Sequence, residues 1–294
     1  MDYQLVHKTV YQYSEPVTVS HHSARMEPVR DGRQDYSGFA LRIQPEPDVC
    51  TTRRDYFGNA VSVFGIRELH RTLEVEAVSR VTVREITPPV PNLSPVWSEV
   101  ARRFRDPVSP QDTRPYEFCL DSAMVRSAPE FARWARQSFD AGTPLLVGVS
   151  SIVSRLFSEF EFDPVATDVA TPLENVWNER RGVCQDFAHV ALACLRSLSL
   201  PARYVSGYLR TVPPPGQKRM QGADASHAWI SVFCPLNGWV DFDPTNNLMP
   251  SDGHITVATG RDYSDVSPLS GSLTGGGEHT VEVAVDVIPL ASLV

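Results

Sequence analysis

The sequence predicts an α+β protein, with an N-terminal antiparallel β-sandwich followed by a domain of helices packed on an antiparallel sheet. Three observations carry this. The chain has 294 residues, which suits two domains better than one. Its first 86 residues are a series of short β-branched and aromatic runs. Beyond residue 116 helical patterns come first and strands afterwards, the order of an α+β domain.

In residues 1–86 the runs "QLVHKTVYQY", "VTVSHHSARMEPV", "GFALRIQP", "AVSVFGI" and "LEVEAVSRVTVREI" show partial period-two alternation. Turn signals divide them at Ser14-Glu15-Pro16, Asp31-Gly32, Pro45-Glu46-Pro47 and Gly58-Asn59. His21 and His22 are adjacent, so in a strand they face opposite ways and make a poor metal pair. Residues 87–115 are rich in proline, which removes backbone donors, and read as a linker around a short helix near Val100. The second domain is then 116–294.

Phe131, Trp134, Ala135 and Phe139 form a helical stripe, as do Leu146, Val149, Ile152, Val153, Leu156 and Phe157. "TPLENVWNERRG" reads as a helix capped by Thr171, with Pro172 at its first position and Gly182 as its stop. In "GVCQDFAHVALACLRSL" the apolar residues Phe187, Ala188, Val190, Ala191, Leu192, Cys194, Leu195 and Leu198 go all the way round, the mark of a central buried helix. Pro201 ends it. Strands follow at "ARYVSGYL", "HAWISVFC", "WVDFD", "HITVATG" and "HTVEVAVDVIPL".

A net charge of −8 argues against non-specific nucleic-acid binding, which needs basic surface. No run is apolar for long enough to span a membrane, and the start carries no secretory h-region. The five cysteines have no repeated short spacing, so a reducing, cytoplasmic setting is expected. No H-E-x-x-H, paired C-x-x-C, P-loop, dinucleotide fingerprint or calcium loop is present, so no metal or cofactor is expected.

The chemistry is expected at Cys184. It stands in the first turn of the central helix, where unpaired N–H groups and the positive end of the helix dipole favour a thiolate. Gly182 allows close backbone approach, and the Cys184 amide is a possible oxyanion donor. Cys194 lies mid-helix on the apolar stripe and reads as core, and Cys50, Cys119 and Cys234 default to structure. As a base, His189 is poorly placed, about 140° around the helix from Cys184. His227 is better, since it opens a strand. Asp241 and Asp243 share a strand face and either could orient it. A four-residue turn at 235–238 would pair Ile230 with Asp243, leaving His227 about 10 Å away along the strand. A pairing centred on Pro235 would instead set His227 opposite Asp243.

Together, "RRGVCQDFAHVALACLRSLSLPARYVSGYL", "SHAWISVF" and "GWVDFDPTNN" resemble the core of the transglutaminase-like cysteine enzymes, in their bacterial two-domain type. The likeness extends to "GRDYSDVSPLSG" and the β-rich start. It implies a papain-like catalytic domain with a triad in which Cys184 is the nucleophile, His227 the base and Asp243 the orienting acid. It also implies action on amide or peptide bonds of a peptide or protein substrate through a thioester. Hydrolysis by a peptidase or amidase is the leading expectation, with acyl transfer from glutamine to amines and a non-enzymatic binding module as alternatives. Trp177 and Gln185 are possible second oxyanion donors. Asp186 is expected to cap or to pair with Arg180 or Arg181. Arg261 and Asp262 are expected to pair, and residues 211–225 could form a rim or lid.

Overall fold

A computed structural model describes residues 1–107, 109–211 and 224–290. In chain order the strands and helices are β1 (Asp2–Ala24), β2 (Gln34–Gln44), β3 (Val49–Arg54), β4 (Ala60–Ile66), β5 (His70–Val83), α1 (Trp97–Arg105), α2 (Thr113–Glu117), α3 (Pro129–Arg136) and α4 (Leu145–Glu159). Then come β6 (Glu161–Phe162), α5 (Leu173–Glu179), β7 (Arg181–Gly182), α6 (Cys184–Arg196), β8 (Ala202–Leu209), β9 (Ala225–Cys234) and β10 (Gly238–Phe242). The chain finishes with β11 (His254–Gly260), α7 (Tyr263–Val266), β12 (Leu269–Gly275) and β13 (His279–Pro289). None of the helices among the described residues is long and apolar enough to cross a membrane.

The N-terminal sheet has seven antiparallel strands ordered β2-β5-β1-β4-β3, with β12 and β13 also pairing β1. The turn expected at Ser14-Glu15-Pro16 does not divide β1. The strand runs on through it, with register irregularities between Gln12 and Val17 and between Val17 and Val19. Such bulges bend a strand. Pro16 fits there because it is asked only to accept, from the Gly276 N–H at 3.1 Å. The bend lets the sheet fold over itself. Val17 and Ala24 of β1, Phe64 of β4 and Leu73 and Val75 of β5 share one core. His21 is exposed and His22 buried, on opposite faces as alternation requires.

Two boundaries differ from the sequence reading. β12 and β13, inside the expected 116–294 domain, complete the N-terminal sheet, because β1 has an edge that, among the described residues, only they cover. The expected 87–115 linker contains α1, whose Trp97, Val100 and Phe104 are buried in the core of the second domain. Phe157, expected on the buried stripe of α4, is 51% exposed.

The second domain is built on a sheet ordered β10-β9-β8-β11. Ala202, Tyr204, Ala228, Ile230, Val232, Val240 and Phe242 turn one face toward α6, whose residues from Phe187 to Leu195 join them in the main core. Residues alternating with these face away, toward segments 29–34 and 57–59 of the N-terminal domain. There Gln34 bonds both the N–H and the C=O of Thr256, at 2.8 Å each, and Asn59 does the same for Thr259, at 2.8 and 2.9 Å. Near the β8–β11 edge, Tyr208, Ile255 and Val257 pack on Tyr3, Leu5, Val81 and Val287. The two domains therefore share a core and a polar seam.

Candidate active site

The start of α6 is fixed locally. α5 ends at Arg180, which takes the left-handed conformation (φ 55°), so Arg180 and not Gly182 is its stop. Thr171 does not cap α5: its hydroxyl donates to Asp168 at 3.0 Å and Pro172 takes the cap position. Gly182 serves another purpose. A Cβ there would collide with the side chain of Asp186. That space is needed, because the Asp186 carboxylate accepts the Val183 N–H at 2.8 Å and the Thr167 hydroxyl at 2.6 Å. Asp186 is thus a cap and does not pair with the arginines. Burial pushes its carboxyl up, and these hydrogen bonds oppose the shift. Cys184 is the first residue of the helix and half-buried. Its N–H and that of Gln185 precede the first full helical bond, Phe187 to Val183 at 3.1 Å.

The β9–β10 turn sets the register between histidine and acid. Cys234 pairs with Gly238 and Ile230 with Phe242. Both registers considered from sequence are therefore replaced by a three-residue turn, Pro235 to Asn237, closed by Gly238 in the left-handed region (φ 71°). Continued, that register puts Asp243 across from Trp229. His227 is then its diagonal neighbour on the same face, within side-chain reach. His227 Nε2 lies 2.7 Å from Asp243 Oδ2, and the ring is near enough to Cys184 for the thiol to act on its charge.

Asp243 is fully buried and surrounded by donors. Oδ1 accepts the N–H groups of Thr245 and Asn246 at 3.0 and 3.2 Å. Oδ2 accepts from the Asn246 amide at 2.7 Å and lies 3.0 Å from His254 Nε2, besides its bond to His227. Burial alone would raise its carboxyl, but the bonds from His227, His254 and Asn246 reverse this and hold it far below the usual carboxylate range. For His227, burial favours the neutral ring. The hydrogen bond to Asp243 and the interaction with Cys184, with their charges, overcome it and raise the imidazole to about 10.

The structure thus brings Cys184, His227 and Asp243 together. Asp241 is held elsewhere, 3.3 Å from Trp229 Nε1 and 3.3 Å from Arg33 Nη1. His189 is buried, accepts the Tyr263 N–H at 3.2 Å and is lowered by burial to about 4. Cys194 is buried and its thiol strongly raised by burial, and Cys119 is raised to about 12 for the same reason. Trp177 packs on Phe131 at 4.8 Å under the Arg180 guanidinium, in an aromatic cluster. Gln185 Nε2 reaches the Val169 carbonyl at 3.4 Å. Arg261 pairs with Asp265 at 2.9 Å, whereas Asp262 caps α7 by accepting the Ser264 N–H at 2.9 Å. Most of the expected lid, 212–223, lies outside the described residues.

Three contributors carry no sequence signal of their own. His254 joins the acid from β11, Asn246 from the segment after β10, and Tyr204 lies close enough to Cys184 for their charges to interact. Burial first, and then Cys184, keep the Tyr204 phenol protonated. His227, Asp243 and His254 also have metal-ligand spacing, their donor atoms lying within 4.8 Å of one another. Both imidazoles, however, already direct Nε2 at the same Asp243 oxygen.

The comparisons agree with this architecture. Residues 3–82 match the Bacterial transglutaminase-like N-terminal region, and residues 132–244 match the core of the Transglutaminase-like superfamily. An uncharacterized protein of Mycobacterium tuberculosis is 39% identical over 298 residues, covering 98% of this chain and 92% of that protein. A Protein-glutamine gamma-glutamyltransferase of Pseudomonas aeruginosa is 28% identical over 108 residues, 34% of this chain and 16% of that protein. Among solved structures, a Cytophaga hutchinsonii protein described as a candidate cysteine protease shares the fold with TM-score 0.72 at 22% identity, covering 97% of this chain and 90% of that one. A fold of helices on an antiparallel sheet, entered by a cysteine at the head of the central helix and joined to the bacterial N-terminal β region, places the chain in the transglutaminase-like superfamily.

Proposed function

We propose that the protein is a cysteine-nucleophile enzyme that cleaves amide or peptide bonds through a thioester, a peptidase or amidase. The observation that supports it most is the relay itself: an imidazole between a helix-head thiol and a buried, fully hydrogen-bonded carboxylate. In this reading the proton shared by Cys184 and His227 rests on the ring, as the raised imidazole favours. Cys184 sulfur attacks the carbonyl carbon. The N–H groups at the head of α6 face the developing oxyanion. His227 gives its proton to the departing amine, and the thioester forms. Water, deprotonated by His227, then releases the acid and restores the thiol. Asp243 holds the ring's orientation and stabilises its positive form throughout.

Acyl transfer to an amine is the second reading. It is favoured by the likeness of about a third of the chain to the Pseudomonas aeruginosa transferase. The two share every step up to the thioester and differ in what resolves it. One panel of glutamine-containing peptides, assayed for hydrolysis and for incorporation of a labelled amine, separates them. Hydrolysis without incorporation supports the peptidase, and incorporation exceeding hydrolysis replaces it with the transferase. Turnover undiminished in Cys184→Ala would sink both.

A further inference from the structure

On the face of the catalytic sheet turned away from α6, a cleft of about 1060 Å³ opens between the domains. One wall is N-terminal, from segments 29–33 and 84–89, and the other is formed by β8, β10 and residues 249–252. We propose that this cleft binds the carboxylate group of a small organic acid, with Arg203 as its anchor.

Arg203 lines the cleft with its guanidinium carbon 4.3 Å from the centre of the Trp239 ring. Its buried Nε has no hydrogen-bond partner, and the guanidinium makes no ion pair among the described residues. The carboxylates that act on it electrostatically are those of Asp241 and Asp31. Both are committed elsewhere. Asp241 is bonded to Arg33 and Trp229, and Asp31 accepts the N–H groups of Arg33 and Gln34, each at 2.8 Å. The chain treats another buried guanidinium differently: Arg196 bonds the carbonyls of Ala202 and Arg261 and the hydroxyl of Ser122. Arg180 has an unpaired Nη1 but is stacked on Trp177 and Phe160. Arg203 combines an unpaired charge with open space.

A guanidinium covered on one face by an indole still offers its edge, the geometry that receives a carboxylate through two parallel bonds. Ile86, Pro88, Pro89 and Met249 in the lining suit an apolar body behind that group. Asp31, Glu85, Asp241 and Asp252 border the cleft beside Arg30, Arg33, Arg84 and Arg203, so the lining is balanced in charge and suits a singly charged group better than a multiply charged anion such as phosphate.

The test titrates the full chain with benzoate, benzamide and inorganic phosphate, by calorimetry and by shift of Tm. Saturable benzoate binding is expected, with none for benzamide and weaker or no binding for phosphate. R203Q should weaken benzoate at least about tenfold. R203K, which keeps a charge but not the fork, should recover part of the loss. W239L, which removes the stack without touching the charge, should also weaken binding and serves if R203Q does not fold. C184A should bind as the wild type does. The proposal is overturned by any of four results: no saturable benzoate binding, unchanged affinity in a folded R203Q, phosphate binding more tightly than benzoate, or loss of binding in C184A, which would put the occupant at the catalytic cysteine.

Discussion

The two faces of the catalytic sheet are built by different means. Toward α6 it presents alanine, aliphatic and aromatic side chains in a continuous apolar core. On the other face Asp241, Trp229, His254 and Thr256 join Arg33 and Gln34 through hydrogen bonds. Apolar packing is non-directional and tolerates small displacements. Hydrogen bonds fall off steeply with distance and angle. The apolar face therefore carries the helix that bears the sulfur, while the polar face fixes where the imidazole and carboxylate point.

The sharpest probe is the cysteine pair on α6. Cys184→Ala should reduce turnover by about 10⁴-fold or more and leave Tm unchanged. Cys194→Ser, in the core, should cost about 1–3 kcal/mol of stability through an unsatisfied buried hydroxyl and leave kcat unchanged. If both cost only stability, the contrast between helix head and helix middle is broken.

Asp243→Asn should lower kcat by about 10³–10⁴-fold. It should also move the alkaline limb of the kcat/KM profile down from the region of the raised His227, about 10, toward the ordinary imidazole value of 6.5. His254 is a positioning residue for that acid. His254→Leu should lower kcat about tenfold and shift the same limb by less, a loss of the size expected for one hydrogen bond to a charged group. His254→Gln, which restores an N–H donor, should recover much of both. A limb unmoved in His254→Leu would reduce His254 to packing.

Across the domain seam, Gln34→Ala should destabilise the protein by about 1–3 kcal/mol, since it strands the Thr256 N–H and leaves the Thr256 C=O only its bond from the Val29 N–H. Its effect on kcat should be smaller than that of His254→Leu. The pH dependence of stability probes the same relay without any substitution. His227, raised in the folded state, contributes fully below about 6.5 and loses that contribution as pH climbs to about 10. Asp243, depressed, contributes above about 3.8 and loses its contribution as pH falls below that. Urea unfolding across pH should show a plateau between these limits. Asp243→Asn should flatten both slopes.

The apolar face was legible because a helix apolar all round and strands of alternating pattern announce themselves. The head of α6 was legible because a glycine, a cysteine and an acid three residues beyond Val183 form a local unit. The polar face was not. Arg33, Gln34 and His254 reach this face from distant segments, and nothing in their neighbourhoods distinguishes them from surface residues. The register of β9 against β10 matches neither alternative the sequence offers, since Gly238 in the left-handed region closes a three-residue turn. The pairing of β12 and β13 with β1 was missed because an open sheet edge accepts any strand of suitable length and writes no motif for its partner.

That last pairing has a consequence for synthesis. A ribosome delivers β1 first and β13 after the whole helical domain. Until then one side of a 23-residue strand has bare N–H and C=O groups. The usual order, N-terminal domain first, is closed to this topology. The N-terminal sheet must wait until β12 and β13 have been made, and a nascent chain stalled before Leu269 leaves an edge ready to recruit a neighbour.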